Sequence, residues 1–212
     1  RNPHRAGKGE AQNPVQPPGL LVALDASSGK ELWRNSDKIF GTMLALSVKH
    51  DVLLMSYQFT RFRQDSESGG TMRAIRASSG EKLWESATGL PPVKGYNSAS
   101  RPLLVDRTIY LEPGAWDLLS GSRLEFAFDR SYACGIMTGC SNMLLYRSAT
   151  VGYYDLNSKQ GTENFGGIRP GCWINALPVG GLVLMPDATA RCNCGYLIKA
   201  NGALIANSRR SQ

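Results

Sequence analysis

Glycines recur along this chain at Gly29, Gly80, Gly121, Gly161 and Gly202, about 40 residues apart after a first interval about ten residues longer. Each sits in a variant of one phrase. The phrase is plainest in Ala23-Leu24-Asp25-Ala26-Ser27-Ser28-Gly29-Lys30-Glu31-Leu32-Trp33 and returns in Ala74-Ile75-Arg76-Ala77-Ser78-Ser79-Gly80-Glu81-Lys82-Leu83-Trp84. A unit of that length, repeated, buries its apolar face only by stacking on copies of itself. Within each copy the residues read as a hairpin: an apolar strand end, a tight turn whose glycine can take a positive φ, and a strand ending in a bulky aromatic. Trp116–Gly121 and Tyr154–Gly161 keep the aromatic-Asp opening and the glycine, and Tyr196–Leu204 replaces Ser-Gly with Asn201-Gly202, another hairpin signal.

Between the glycines, short runs of β-formers alternate with turn residues, and no stretch sustains a helical period. In the best-preserved unit, Thr42–Val48, Val52–Tyr57, Thr71–Arg76 and Lys82–Glu85 read as successive strands, joined by Lys49-His50-Asp51, a polar loop from Arg61 to Gly70, and Ser78-Ser79-Gly80. Four antiparallel strands per repeat make the blade of a β-propeller. The sequence therefore predicts an all-β propeller over 20–208, with a partial blade at 20–34 and blades at about 42–86, 98–128, 133–166 and 172–206. Residues 1–19, with Pro14, Pro17 and Pro18, read as a linker, and 209–212 as a tail. Propellers use about four to eight blades to close, so roughly four blades and a leading hairpin, in a chain opening on Arg1, read as part of a larger propeller. The missing blades would come from the rest of that protein or from another segment.

Residues 23–33 resemble the tryptophan-containing repeat of pyrroloquinoline quinone-type propellers, whose blades carry a phrase like Ala-Leu-Asp-x-x-Thr-Gly-Lys-x-x-Trp. A second likeness covers the C-terminal part. Gly166-Gly167-Ile168-Arg169-Pro170-Gly171-Cys172-Trp173 and Cys192-Asn193-Cys194 are similar to elements in the last blades of a bacterial group of such proteins. The resemblance implies fold more than activity, because one fold hosts many functions.

The formal net charge is +7, but Arg1, Arg5, Lys8, Arg209 and Arg210 sit near the chain ends, and Arg61 and Arg63 lie beside Asp65 and Glu67. No basic stripe with interleaved aromatics emerges, so nucleic acid is not an expected partner. No apolar run reaches the roughly 18 residues that cross a bilayer, so no transmembrane segment is expected.

The five cysteines stand at 134, 140, 172, 192 and 194. In a blade, the start of the innermost strand shares a face with the loop joining the second and third strands. Cys134, Cys172, Cys192 and Cys194 fall at such places and are expected together on one face, with Cys140 on the other. Two disulfides, as in an exported protein, a thiolate metal site, and reduced buried thiols are three readings of the four. The spacing lacks the Cys-x-x-Cys knuckles of strong metal sites and the Cys-x-x-Cys-His that attaches haem.

The repeat's name suggests a fragment of a pyrroloquinoline quinone-dependent alcohol or sugar dehydrogenase, which needs calcium, an acidic base and aromatic stacking of the quinone. Asp106, Glu112, Asp155 and Asp187 are candidate carboxylates, but Asp155 belongs to the repeat phrase and no convergent pair stands out. His4 and His50 are the only histidines, in the linker and in a turn, which leaves a Ser/His/Asp triad unsupported. Trp33 and Trp84, repeated at one place in successive blades, read as docking between sheets. Trp173 lies outside the phrase, beside Cys172, and Arg169 and Asn175 flank it on a glycine-rich crossing, so these three are the candidate contacts for a ligand or partner. The reading favoured is a non-catalytic binding or scaffold domain of a larger exported bacterial protein, periplasmic or extracellular. It uses the cysteine-bearing face toward a protein or cell-envelope ligand and has no catalytic residue or cofactor; pyrroloquinoline quinone with calcium enters only under the dehydrogenase alternative.

Overall fold

The computed structural model describes residues 19–39, 43–56, 71–86, 101–112, 114–126, 129–131, 134–171, 176–187, 195 and 200–205. Every regular element among them is a strand. The strands β1 (Leu21–Leu24) and β2 (Glu31–Asn35) form a hairpin. A first full sheet then follows in the order β3 (Met43–Ser47), β4 (Val52–Ser56), β5 (Met72–Arg76), β6 (Lys82–Glu85). The second is β7 (Leu103–Val105), β8 (Thr108–Leu111), β9 (Gly114–Asp117), β10 (Arg123–Leu124). The third is β11 (Thr138–Cys140), β12 (Met143–Ser148), β13 (Thr150–Asp155), β14 (Thr162–Asn164). A last sheet holds β15 (Leu177–Val179), β16 (Leu182–Met185) and β17 (Gly202–Ile205).

All pairings are antiparallel between neighbours in sequence, so each sheet is a meander. First strands lie beside first strands: β3 by β7, β7 by β11, β11 by β15. That is the inner row of a β-propeller, and the strands expected for the best-preserved unit are β3 to β6 to within a residue or so.

Strand side chains alternate between two faces, and here both faces are buried. Leu54 and Ala74 pack toward the second sheet with Ile109, Leu111, Trp116 and Leu118, while their neighbours Met55 and Ile75 pack the other way with Ile39. In the second sheet Tyr110 and Ala115 turn toward Leu144, Tyr146 and Tyr154 of the third. Leu145 and Val151 then turn toward Ala176 and Met185 of the last. Such two-sided burial explains why the strands read as near-continuous apolar runs.

The two ends of the arc are different. The β1–β2 hairpin corresponds to the two outer strands of a blade and covers only the outer part of the first sheet, so Leu44 and Leu46 of β3 stay about half exposed, at 49% and 56%. At the other end Leu177, Val179, Leu182, Leu184 and Ile205 are exposed.

One expected turn lies only partly within the described residues. The Asn201-Gly202 pair was expected to turn the chain from a third into a fourth strand; residues 196–199 lie outside the described residues, and Gly202 opens β17, which pairs with β16 from Met185↔Gly202 to Leu182↔Ile205. Its φ is not in the left-handed region where the other turn glycines sit.

Candidate functional site

The repeat phrase turns out to be a lock between sheets. Asp25 takes hydrogen bonds on Oδ1 from the backbone N–H of Ser27 and Ser28, at 3.1 and 2.7 Å, and Gly29 closes the turn on the Asp25 carbonyl with φ 67°. Asp117 does the same for Leu119 and Ser120, and Asp155 for Asn157 and Ser158. The second copy has Arg76 in place of the aspartate. There Asp51, from the neighbouring turn, accepts from the Ser78 N–H at 2.9 Å and restores the cap.

Onto two of these turns, those of Gly80 and Gly121, docks a tryptophan from the preceding strands. The Trp33 indole Nε1–H donates to the Ala77 carbonyl at 2.8 Å, and the ring lies on Gly80, where a Cβ would come within 2.7 Å of it. Trp84 repeats this on the Leu118 carbonyl at 2.9 Å and on Gly121, where a Cβ would come within 2.6 Å. These glycines therefore serve twice: their left-handed φ, 76° and 71°, and their bare α-carbons. The role in docking expected for Trp33 and Trp84 is what the indoles perform.

At the next interface the lock is missing on both sides. Trp33 and Trp84 sit opposite Ala23 and Ala74, each after a bulge, but β10 pairs without a bulge and sets Leu124 opposite Ala115. The receiving turn has changed too. Lys159, not Gly161, donates its N–H to the Asp155 carbonyl at 2.9 Å and takes the left-handed φ of 54°. Gly161, expected to be the turn glycine of this copy, follows two residues later with open space around it.

With neither indole nor glycine, a cleft of about 990 Å³ opens between the second and third sheets, lined by Tyr110, Leu124, Phe126, Tyr154, Leu156 and the charged Arg123, Glu125 and Lys159 among others. Phe126 closes its floor, its ring centroid 5.1 Å from those of both Tyr110 and Tyr154. Burial raises the Tyr110 hydroxyl above its ordinary pKa. Tyr146, deeper in the same interface, is pushed up to about 12 for the same reason.

The cysteine-bearing rim is described in part. Cys134 is half-buried ahead of β11 and Cys140 is exposed at that strand's other end; both are free thiols. Around the rim of Cys134, the crossing from the third to the last sheet is fixed by hydrogen bonds from Phe165 N–H to the Val151 carbonyl and from Val151 N–H to the Ile168 carbonyl, at 2.9 and 2.8 Å. Arg169 on that crossing is 1% exposed and engaged within the protein. Cys172, Trp173, Asn175, Cys192 and Cys194 lie outside the described residues.

The candidate carboxylates do not converge. Asp106 pairs with Lys49 at 2.6 Å and faces His50 at 3.3 Å, bridging the first two sheets, and the Lys49 and then the His50 hydrogen bond hold its carboxyl below the usual range. Glu112 pairs with Arg130 at 2.5 Å, Asp155 caps its turn, and Asp187 sits by Asn201. Among the described residues no group of three or more His, Cys, Asp or Glu is placed to hold a metal.

Residues 7–124 match the family of PQQ-type repeats described as "Outer membrane protein assembly factor BamB". The chain belongs to that family. The matched span carries both Trp–Gly locks and ends before the Gly-Gly-x-Arg-Pro-Gly-Cys-Trp and Cys-x-Cys elements. The crystal structure of BamB from Moraxella catarrhalis superposes with a TM-score of 0.52 at 18% identity, over 81% of this chain and 54% of that one. The chain thus spans about half the length of this BamB-family structure. The structure of U3-55K gives a TM-score of 0.47 at 13% identity, over 71% of this chain and 49% of that one. No curated protein sequence matches the chain.

Proposed function

We propose that the chain is a non-catalytic propeller segment of a larger exported bacterial protein and serves as a binding scaffold in outer-membrane protein assembly. The observation that carries this reading is the match of residues 7–124 to the BamB family. The use of the repeat tryptophans supports it. Trp33 and Trp84 are committed to carbonyls and glycines of the next sheet, and Trp116 to the core, so none of these rings is offered to a flat cofactor. The rim of Cys134 and the 165–171 crossing is the face proposed for a protein or cell-envelope partner, with Trp173 and Asn175, which follow the crossing in sequence, as further candidate contacts. The apolar ends of the arc take further blades from the rest of the protein or another segment, which suits a chain that spans about half the length of the BamB structure it matches. A periplasmic or extracellular location goes with this reading. Among the described residues, no helix is long and apolar enough to cross a membrane.

Deleting the gene in its native host tests the proposal. Outer-membrane β-barrel proteins are expected to fall in abundance and to recover when the full-length protein is restored. Unchanged barrel proteins would overturn the assembly role.

A further inference from the structure

We infer that the arc is jointed at the seam between the second and third four-stranded sheets, where the hairpin and the first two sheets part as one body from the third. The inference goes beyond the binding-scaffold reading and stands or falls without it.

In both interfaces before this seam the outer strand is pinned to the turn of the following sheet. Between the hairpin and the first sheet, Trp33 holds the Ala77 carbonyl, and the Asn35 side-chain amide reaches the Gly80 carbonyl at 3.4 Å. Between the first and second sheets, Trp84 holds the Leu118 carbonyl, and Lys49 pairs with Asp106. A docked indole with its N–H bonded joins two sheets by apolar area and by direction at once. Separating such sheets loses both together, so locked sheets open as one unit.

At the seam the same edge is open. Leu124 stands where the indoles stand and is 37% exposed, and Lys159 takes the place of the receiving glycine. The cleft runs along this edge, with Phe126 closing its floor against Tyr110 and Tyr154. The seam is held at that floor and at the crossing into the third sheet, which leaves β10 at the end away from its turn. There Glu112 pairs with Arg130 at 2.5 Å. The crossing is bonded in turn to the third sheet: the Ser131 N–H donates to Ser148 Oγ at 3.0 Å, and Thr162 Oγ1 donates to the Asp129 carbonyl at 2.5 Å. A seam held along one side and open along the other bends about the held side. The family match marks the same division independently, because it ends at Leu124, the last residue of β10. Beyond the seam the third sheet is coherent in itself. β12 pairs with β13 over six residues, and Leu145 and Val151 are fully buried against the last sheet.

Native-state hydrogen exchange of the full chain in rising, sub-denaturing urea tests the joint. Amides of β4–β5 and β8–β9 are expected to lose protection together, with one urea dependence, and those of β12–β13 with a different one. Trp84→Ala is expected to separate β4–β5 from β8–β9 and to leave β12–β13 where it was. Leu124→Trp with Lys159→Gly installs an indole and a bare α-carbon at the seam and is expected to merge all three. A single opening shared by all three strand pairs in the wild type overturns the inference, as does a wild-type division between β4–β5 and β8–β9. So does Trp84→Ala if those two pairs still open together, or a folded double variant that keeps two steps. If the double variant fails to fold, the wild type and Trp84→Ala still decide. The gene deletion is a separate matter: a seamless arc leaves the scaffold role standing, and unchanged barrel proteins leave the joint standing.

Discussion

At the scale of single residues, the glycines divide by what touches them. Gly29 and Gly121 share a left-handed φ, 67° and 71°, but nothing lies within 4 Å of a Cβ at Gly29, whereas one at Gly121 would overlap the Trp84 ring. Gly29→Ala is expected to cost about 1 kcal/mol, the conformational penalty alone. Gly121→Ala adds displacement of a part-buried indole and is expected to cost roughly 2–4 kcal/mol. Trp84→Ala falls in a similar range, about 2–4 kcal/mol, and Gly121→Ala in that background reverts toward the small penalty, because the ring it would strike is gone. Urea denaturation of the four variants measures this. Additive losses from Trp84→Ala and Gly121→Ala would contradict the lock.

At the scale of elements, the capped turns carry a pH signature. Asp117 is held at about 2, chiefly by the Arg107 side chain and further by Ser120. Asp25 is also lowered, by the hydroxyls of Ser27 and Ser28. A carboxyl whose folded pKa lies below its unfolded value of about 3.9 contributes fully above that value and loses its contribution as pH falls through the folded one. Thermal stability is therefore expected to drop between about pH 4 and pH 2, with a shallower drop in Asp117→Asn, and melting curves across that range check it. Identical acid limbs would show that the carboxylate contributes nothing.

Much of this element level was legible in the residues. Alternation and turn chemistry placed β3 to β6 to within a residue or so, and the repeated aromatic placed the docking tryptophans. What stayed hidden depends on pairing rather than composition. Gly161 keeps the rhythm in sequence and has a φ of 101°, yet the N–H that closes the turn on Asp155 is that of Lys159. Asn201-Gly202 carries the strongest turn signal of the last copy, yet Gly202 pairs with Met185. The cleft could have been found from the sequence by noticing that Glu125, four residues after Gly121, stands where Trp33 and Trp84 follow their own glycines. Register then decided that Leu124 fills the place in space.

For the whole molecule, the arrangement is an arc of sheets around a row of first strands, with apolar faces left open at both ends. The interfaces are built from the same residues that gave the repeat its quinone-associated name, so the name reports architecture, and the function proposed is binding rather than oxidation. The most direct test is reconstitution of the full-length protein with pyrroloquinoline quinone and calcium, followed by dye-linked oxidation of alcohols and sugars. Turnover no greater than that of the free cofactor is expected. Turnover that requires the protein, the quinone and calcium together would contradict the account.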